Sequence, residues 1–146
     1  MYSLCEGKDV GDTIFLIASQ INHGKELIEK DDALCIPVAK LNMKAGKMAL
    51  DGCDHKTAHF YFRAAVSLLP HDSWKSDYDL TLRLNFMVAR SANSSCKYDE
   101  AELTLKIIYA KARSLEDKLP AYELTVESEY ICLCVNTPLR YFIFCS

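Results

Sequence analysis

Apolar residues recur every three or four positions along most of this chain, and that spacing predicts amphipathic helices. Six helices are expected, at about residues 12–21, 31–50, 55–69, 74–92, 98–117 and 120–133. The positions expected to face inward include Ile14, Ile17, Leu34, Val38, Phe62, Leu84, Ala101, Leu105, Ile108 and Leu115. No segment alternates as a half-buried strand does, and five Gly and four Pro are few for a sandwich with many tight turns. The pattern therefore predicts an all-α protein.

Capping residues and prolines set the expected helix boundaries. Asp12 or Thr13 is expected to cap the first helix and Asp54 the third, and Pro120 is expected to open the sixth. Two starts are open for the second helix, because Pro37 lies inside its apolar pattern. It begins at about Asp31, or near Ile36 with the proline in the tolerated first turn.

The chain contains an internal repeat. Gly52-Cys53-Asp54 and the helix after it are similar to Ser95-Cys96-Lys97 and its following helix, at an offset of about 43 residues against roughly 34 in a tetratricopeptide unit. The first copy matches the small, large and terminating positions of that unit with Gly46, Ala58, Phe62, Ala65 and Pro70. The second copy departs from it, with Ala89 and Arg113 in place of the glycine and the proline. We expect antiparallel helix hairpins stacked as a tetratricopeptide-like α-solenoid, with another helix packing as the alternative.

A longer series of segments is more distinctive than the repeat. It comprises Ile21-Asn22-His23-Gly24, Leu41-Asn42-Met43-Lys44-Ala45-Gly46-Lys47-Met48-Ala49, Ala58-His59-Phe60-Tyr61-Phe62-Arg63-Ala64-Ala65, Leu68-Leu69-Pro70-His71-Asp72-Ser73-Trp74, Tyr78-Asp79-Leu80-Thr81-Leu82, Tyr98-Asp99-Glu100-Ala101-Glu102 and Ala121-Tyr122-Glu123-Leu124. The series resembles the helical repeat region of large multidomain signalling proteins. Those proteins join a serine/threonine-kinase-like domain, an AAA-type or STAND-type ATPase, this region, a GAF sensor and often a histidine kinase.

The resemblance implies a non-catalytic spacer or protein-interaction segment of a signalling ATPase or kinase, present here as a fragment. The repeat segment is expected over residues 1–136, followed by an irregular or truncated tail at 137–146. The sequence contains no G-x-x-x-x-G-K-[ST] motif and no kinase Gly-rich loop, H-R-D or D-F-G motif. We therefore expect no enzymatic activity and no cofactor, and expect protein partners or covalently linked signalling domains.

Net charge, apolar run length and cysteine content limit the partners and the cellular compartment that we expect for this chain. With 17 Lys and Arg against 20 Asp and Glu, the chain has a net charge of −3, which argues against nucleic-acid binding. It has no basic segment followed by an apolar one at its start, and no apolar run of the roughly 18 to 20 residues that a membrane span needs. We expect a cytoplasmic protein whose seven cysteines are reduced thiols.

Three lysines form a basic stripe on the second predicted helix: Lys40, Lys44 and Lys47. In tetratricopeptide solenoids the equivalent helix lines the concave groove, so the stripe could hold the carboxylates of a partner. A free-standing adaptor that binds a peptide or chaperone tail is therefore the alternative function within the binding class. A solvated charged face is the alternative for the lysines themselves.

A small metal or cysteine-dependent enzyme is the alternative from another class. His55 and His59 lie four residues apart on a predicted helix, and Cys53 precedes them in the turn. A tetrahedral site needs a fourth ligand, which no neighbouring motif supplies. Cys132 and Cys134 are weaker candidates, because side chains two positions apart on a helix diverge.

Trp74 stands beside His71 and Asp72 in the turn before the fourth predicted helix. We expect the indole to anchor this loop and do not expect a site there.

The sixth predicted helix is apolar on more than one face, with residues such as Val126, Tyr130 and Leu133. A solenoid needs a polar outer face on its last helix. We therefore expect an exposed apolar patch near the C-terminus and self-association through it.

Overall fold

The computed structural model describes residues 6–28 and 31–136. Within these ranges all regular structure is helical, and no strand is present in them. The helices are α1 (Glu6–His23), α2 (Lys25–Ile28), α3 (Asp32–Asp51), α4 (His55–Ser67), α5 (Ser73–Ser76), α6 (Tyr78–Ser94), α7 (Tyr98–Lys111) and α8 (Leu115–Asn136). The predicted all-α class is confirmed, and none of these helices has the length and apolarity that crossing a membrane requires. The predicted tail at 137–146 lies outside the described residues.

The helices pack largely in chain order. α1 contacts α3, α3 contacts α4, α4 contacts α6, α6 contacts α7, and α8 contacts both α6 and α7. Small side chains line these contacts and allow close approach of the helix axes. The most buried alanines are Ala18, Ala39, Ala45, Ala58, Ala65, Ala89, Ala92, Ala101 and Ala121. The positions predicted to lie between helix pairs are also buried: Ala58, Phe62, Ala65, Ala101, Leu105 and Ile108.

The turns that join α3 to α4 and α6 to α7 have the same backbone conformation. Cys53 has a φ of 60° and Cys96 a φ of 59°, in the left-handed region that favours glycine. In both turns the residue after the cysteine donates its amide to a helix carbonyl five positions back, at 2.9 Å. This is the Schellman arrangement that ends a helix. The repeat seen in the sequence therefore extends to the backbone.

Phe62 of α4 is fully buried and packs directly over Gly46 of α3. A Cβ atom at position 46 would lie 2.6 Å from the Cδ1 atom and 2.9 Å from the Cζ atom of the Phe62 ring. Carbon atoms cannot approach so closely without displacement. Gly46 is therefore required for the close contact between α3 and α4, and its direct contact with Phe62 is a finding of the structure.

The predicted cap of α4 is confirmed, because the Asp54 carboxylate accepts a hydrogen bond from the Thr57 amide at 3.0 Å. The predicted cap of the first helix is wrong. α1 begins at Glu6, and Asp12 and Thr13 are exposed residues inside it. A residue type that caps helices is also acceptable on a solvated helix face, so it does not by itself mark a helix start.

Of the two starts left open for the second helix, the structure has the earlier one. The Asp31 side chain accepts a hydrogen bond from the Ala33 amide at 3.0 Å, and α3 runs from Asp32 through Pro37 without a break. The amide missing at Pro37 would have bonded to the Ala33 carbonyl. Ala33 is exposed, so water can satisfy that carbonyl.

The helix predicted over 74–92 is interrupted at Asp77, which separates the short α5 from α6. Asp77 has φ −132° and ψ 52°, outside the helical region. Its carboxylate accepts a hydrogen bond from the Ser76 hydroxyl at 2.9 Å. Its amide still donates to the Ser73 carbonyl at 2.8 Å, so α5 and α6 meet at this residue without a longer loop.

The break between α7 and α8 also falls earlier than predicted. Arg113 donates its amide to the Tyr78 hydroxyl at 2.8 Å, and Asp117 donates its amide to the Ser114 Oγ atom at 3.0 Å. These bonds end one helix and cap the next, so Pro120 lies inside α8 and does not open it. The contact with Tyr78 comes from a distant part of the chain, which local signals do not reveal.

Three residues predicted to face inward are exposed: Ile17, Leu34 and Leu115. The prediction that the last helix is apolar on more than one face is confirmed, and the named residues Val126, Tyr130 and Leu133 are exposed. Ala121 and Leu124 are buried against α6 and α7. The opposite face carries an exposed apolar row, here named the outer stripe: Leu115, Leu119, Tyr122 and Val126. Their spacing of four, three and four residues places them on one side of the helix.

Candidate functional site

The basic stripe predicted on the second helix lies in a groove between α3 and α6, here named the α3–α6 groove. Lys40, Lys44 and Lys47 are all exposed, and their spacing of four and three residues places them on one face of α3. The groove has a volume of about 480 Å³. Its lining residues are Lys40, Met43, Lys44 and Lys47 from α3, with Asp79, Leu80 and Arg83 from α6. Four cations thus share the groove with one carboxylate, over apolar side chains.

The groove continues toward α8 and changes its charge on the way. Asp79 and Arg83 also line a neighbouring cavity of about 330 Å³. Its other lining residues are Leu82, Phe86, Ile108, Glu116, Asp117 and Pro120. The surface is therefore positive beside α3 and negative beside α8, with apolar side chains along its length.

A cluster around Tyr78 fixes the acidic end of this surface. The Tyr78 hydroxyl donates to the Asp117 carboxylate at 2.7 Å, and the Arg113 guanidinium lies 4.1 Å from the centre of the Tyr78 ring. The Tyr78 hydrogen bond, followed by that of Ser114, lowers the pKa of Asp117. Asp117 is therefore a carboxylate at neutral pH, and the start of α8 is held against α6.

The predicted loop anchor at Trp74 has a partner in the same cluster. Its ring lies edge-on to Tyr78 with 6.0 Å between centroids, and its carbonyl accepts a hydrogen bond from Arg113 at 3.2 Å. Asp72, which precedes α5, makes no side-chain capping bond to it.

The candidate metal residues do not come together. Cys53 and His55 are exposed at the turn before α4, whereas His59 is 2% exposed and faces other partners. Across residues 6–28 and 31–136 there is no group of three His, Cys, Asp or Glu side chains placed to hold a metal ion. The side chains of Cys132 and Cys134 lie outside the described part of the molecule.

His59 instead joins three helices through a buried polar network. Its Nδ1 atom lies 3.1 Å from Ser91 Oγ of α6, and its Nε2 atom lies 3.0 Å from Glu100 Oε2 of α7. The other oxygen of Glu100 accepts a hydrogen bond from Arg63, one turn along α4 from His59. Ser91 Oγ is also 3.1 Å from the Val88 carbonyl.

This network satisfies His59 in both protonation states. In the neutral ring, Nε2–H donates to Glu100, which as a carboxylate can only accept, and Nδ1 accepts from the Ser91 hydroxyl. In the protonated ring, Nδ1–H donates to Ser91 Oγ, and the hydroxyl turns to donate to the Val88 carbonyl. A proton can therefore enter without displacement of a heavy atom.

The surroundings favour the neutral ring. Burial lowers the pKa of His59, the charge and hydrogen bond of Glu100 offset this in part, and the charges of Lys97 and Arg63 lower it further. Burial acts to raise the pKa of Glu100, but the hydrogen bond from Arg63 and the contacts with His59 outweigh it, so this pKa is lowered. At neutral pH the network holds a neutral histidine beside a carboxylate.

The connected series of Ser91, His59 and Glu100 contains the residue types of a catalytic triad. Ser91 is 2% exposed, however, and its hydroxyl is enclosed by α4 and α6. A nucleophile must reach a substrate carbonyl. The arrangement therefore joins three helices and does not present Ser91 for catalysis.

Comparison with known proteins adds no relative. No family model, no curated protein and no solved structure matches this chain.

The sequence pattern suggested His59 only as a candidate metal ligand, and so the network was missed. The spacing of His59 and Arg63, four residues apart on a helix, was the available signal, because both side chains then project from one face. Their shared partner, Glu100, lies 41 residues from His59 along the chain. Only the tertiary fold, in which α4 and α7 both pack against α6, reveals the pairing.

Proposed function

We propose that this chain is a non-catalytic helical interaction segment that binds an acidic peptide segment of a partner in the α3–α6 groove. The observation that carries the proposal is the four-to-one excess of cations over carboxylates in the groove. Their charges attract carboxylates, while Met43 and Leu80 offer apolar contact.

The tetratricopeptide-like solenoid is part of the same proposal. Three observations support it: the packing of helices in chain order, the identical turns at Cys53 and Cys96, and the fit of Phe62 over Gly46. In such an arrangement α3 and α6 are the first helices of successive hairpins, and their exposed faces line a common groove.

The resemblance to the spacer region of multidomain signalling proteins supports a role within a larger assembly. In that role the groove would bind an acidic segment of a linked domain, and in a free-standing adaptor it would bind a separate chain. A cytoplasmic setting belongs to this proposal and is supported by Cys53 and Cys96, which form no disulfide.

A titration with a fluorescent peptide tests the proposal. The probe is a peptide of about eight residues that alternates Glu and Leu, and a Gln–Leu peptide of equal length is its control. We expect the acidic peptide alone to bind, and Lys44→Glu to weaken its affinity about tenfold or more. The matched control is Lys111→Glu, the same charge change at an exposed site on α7.

The two peptides and the two variants distinguish binding in the groove from nonspecific attraction between charges. Loss of affinity in Lys44→Glu but not in Lys111→Glu supports the groove. Equal binding of the two peptides, or equal effects of the two variants, would show that specific recognition of acidic segments does not occur there.

A further inference from the structure

A second basic region lies on the side of α4 that faces solvent, and it forms an open cavity of about 490 Å³, here named the α4 cavity. Four cationic residues line it: Lys25 from α2, Lys56 and Arg63 from α4, and Lys97 from the turn before α7. His59 and Phe60 also line it. This region is distinct from the α3–α6 groove, with which it shares no lining residue.

The charge of the α4 cavity is unbalanced. No Asp or Glu is among the side chains that line it. Glu100 lies just behind the lining, where it binds Arg63 and His59, and it offsets one positive charge. Lys56 and Lys97 place a positive potential in a concave surface, and such a surface attracts an anion with more than one negative charge.

The cavity also contains features that suit a small ligand. Its volume lies in the range of small-molecule sites, which is about 300 to 1,000 Å³. Phe60 is 59% exposed, an uncommon state for a phenyl ring, and it provides an apolar surface beside the cations. Asn22 and Ser67 also line the cavity, where the Asn22 amide bonds to that of Asn42 and the Ser67 hydroxyl donates to the Ala64 carbonyl.

Arg63 is held in position before any ligand arrives. Glu100 accepts its hydrogen bond and is itself held by His59, whose ring is buried. A guanidinium fixed on one side has further N–H groups for a ligand on the other. Fixed donors lower the ordering cost of binding.

We propose that the α4 cavity binds a phosphate-bearing small molecule, with its phosphate groups among Lys56, Arg63 and Lys97 and its apolar or ring portion against Phe60. Phosphate matches this lining better than a single carboxylate, because its oxygens accept several charge-assisted hydrogen bonds at once.

The test is an NMR titration of the full ¹⁵N-labelled chain with pyrophosphate and with ATP, and with adenosine as the control without phosphate. We expect pyrophosphate and ATP to shift the amides of α4 and Lys97, and adenosine to shift none. A bound phosphate also raises the pKa of His59, because it offsets Lys97 and Arg63, while Glu100 and Ser91 stay in place. The imidazole ¹⁵N signals of His59 report that change.

Paired variants locate the site. The double substitution Lys56→Ala and Lys97→Ala is expected to weaken pyrophosphate binding about tenfold or more, and Lys56→Arg to retain it. The matched control is Lys40→Ala with Lys44→Ala, two lysines removed from the α3–α6 groove. All of these side chains are exposed, so the fold is expected to persist.

Shifts at α4 that vanish in the first double variant and persist in the control support the proposal. It is overturned if pyrophosphate and ATP shift no resonance, if their shifts centre on α3, or if both double variants bind equally. Tighter binding of a single-stranded RNA oligonucleotide than of ATP by the same residues would also overturn it, because the region would then be a nucleic-acid surface.

Discussion

α4 and α8 differ in how completely their surfaces are covered. α4 buries Phe62 against α3 and α6 on one side and inserts His59 between α6 and α7 on another. α8 buries Ala121 and Leu124, but the opposite face carries the exposed outer stripe. The two helices therefore have very different environments in the fold.

The comparison separates the buried contacts of α4, which stabilise the fold, from the exposed face of α8, which is open to a partner. α4 combines the close fit of Phe62 over Gly46 with the hydrogen bonds of His59, whose ring gains a charge at low pH. α8 adds apolar area without covering it, which is the pattern of a helix that packs against a further partner. We therefore expect changes in α4 to alter stability and changes on the outer face of α8 to alter association.

The largest expected effect is at the contact between α3 and α4. Phe62→Ala is expected to lower the free energy of unfolding by about 3 to 5 kcal/mol, because it opens a cavity in the core. At an exposed helix position, replacement of glycine by alanine stabilises a helix by about 1 kcal/mol. Here Gly46→Ala is expected to destabilise by about 1 to 3 kcal/mol, because the new Cβ meets the Phe62 ring.

Urea unfolding followed by circular dichroism measures both changes. The double variant Gly46→Ala with Phe62→Leu is expected to lose less stability than the sum of its single variants, because the smaller side chain makes room for the methyl group. Strict additivity would contradict the direct contact between the two positions.

The next effect is a dependence of stability on pH from the other side of α4. The pKa of His59 in the folded chain lies below the ordinary value of 6.5. Its contribution to stability is therefore complete above about pH 6.5 and declines as the pH falls from there through the folded pKa. The lowered pKa of Glu100 adds a second decline below about pH 4.5.

Urea midpoints measured from pH 8 to pH 4 test this dependence. His59→Gln removes the titrating ring and is expected to flatten the decline just below pH 6.5. His55→Gln is the matched control, because His55 is exposed at the start of the same helix. An unchanged slope in His59→Gln would assign the pH dependence to other groups.

The smallest effect on stability is expected on the outer stripe of α8. Leu119→Glu with Val126→Glu is expected to change the free energy of unfolding by no more than about 0.5 kcal/mol, because both side chains are exposed. Sedimentation velocity is expected to show self-association of the wild type and a monomeric double variant. A monomeric wild type at high concentration would contradict the expected use of the stripe.

The sequence predicted those features that depend on residues close together in the chain, and missed those that depend on residues far apart in it. Phe62 and Gly46 were found because they occupy the spacing of a repeated hairpin, and Asp54 because its capping bond is local. The break after α7 and the His59 network were missed, because Tyr78 and Glu100 reach their partners only through tertiary packing.

The basic groove shows the same limit. The lysine stripe on α3 was visible as a spacing, whereas Arg83, which completes the groove, comes from α6 and had no signal linking it to the lysines. The metal hypothesis assumed that Cys53 and His59 face the same way. In the structure the His59 ring is buried against Ser91 and Glu100, away from the turn that contains Cys53.

A charge-swap measurement tests the central claim most directly. The variant Lys40→Glu with Lys44→Glu reverses two charges of the α3–α6 groove, and its affinities for a Glu–Leu peptide and a Lys–Leu peptide are compared with those of the wild type. The account predicts that the wild type prefers the acidic peptide and the variant the basic one, by about tenfold or more in each direction. An unchanged preference in the variant would show that acidic segments do not bind in this groove.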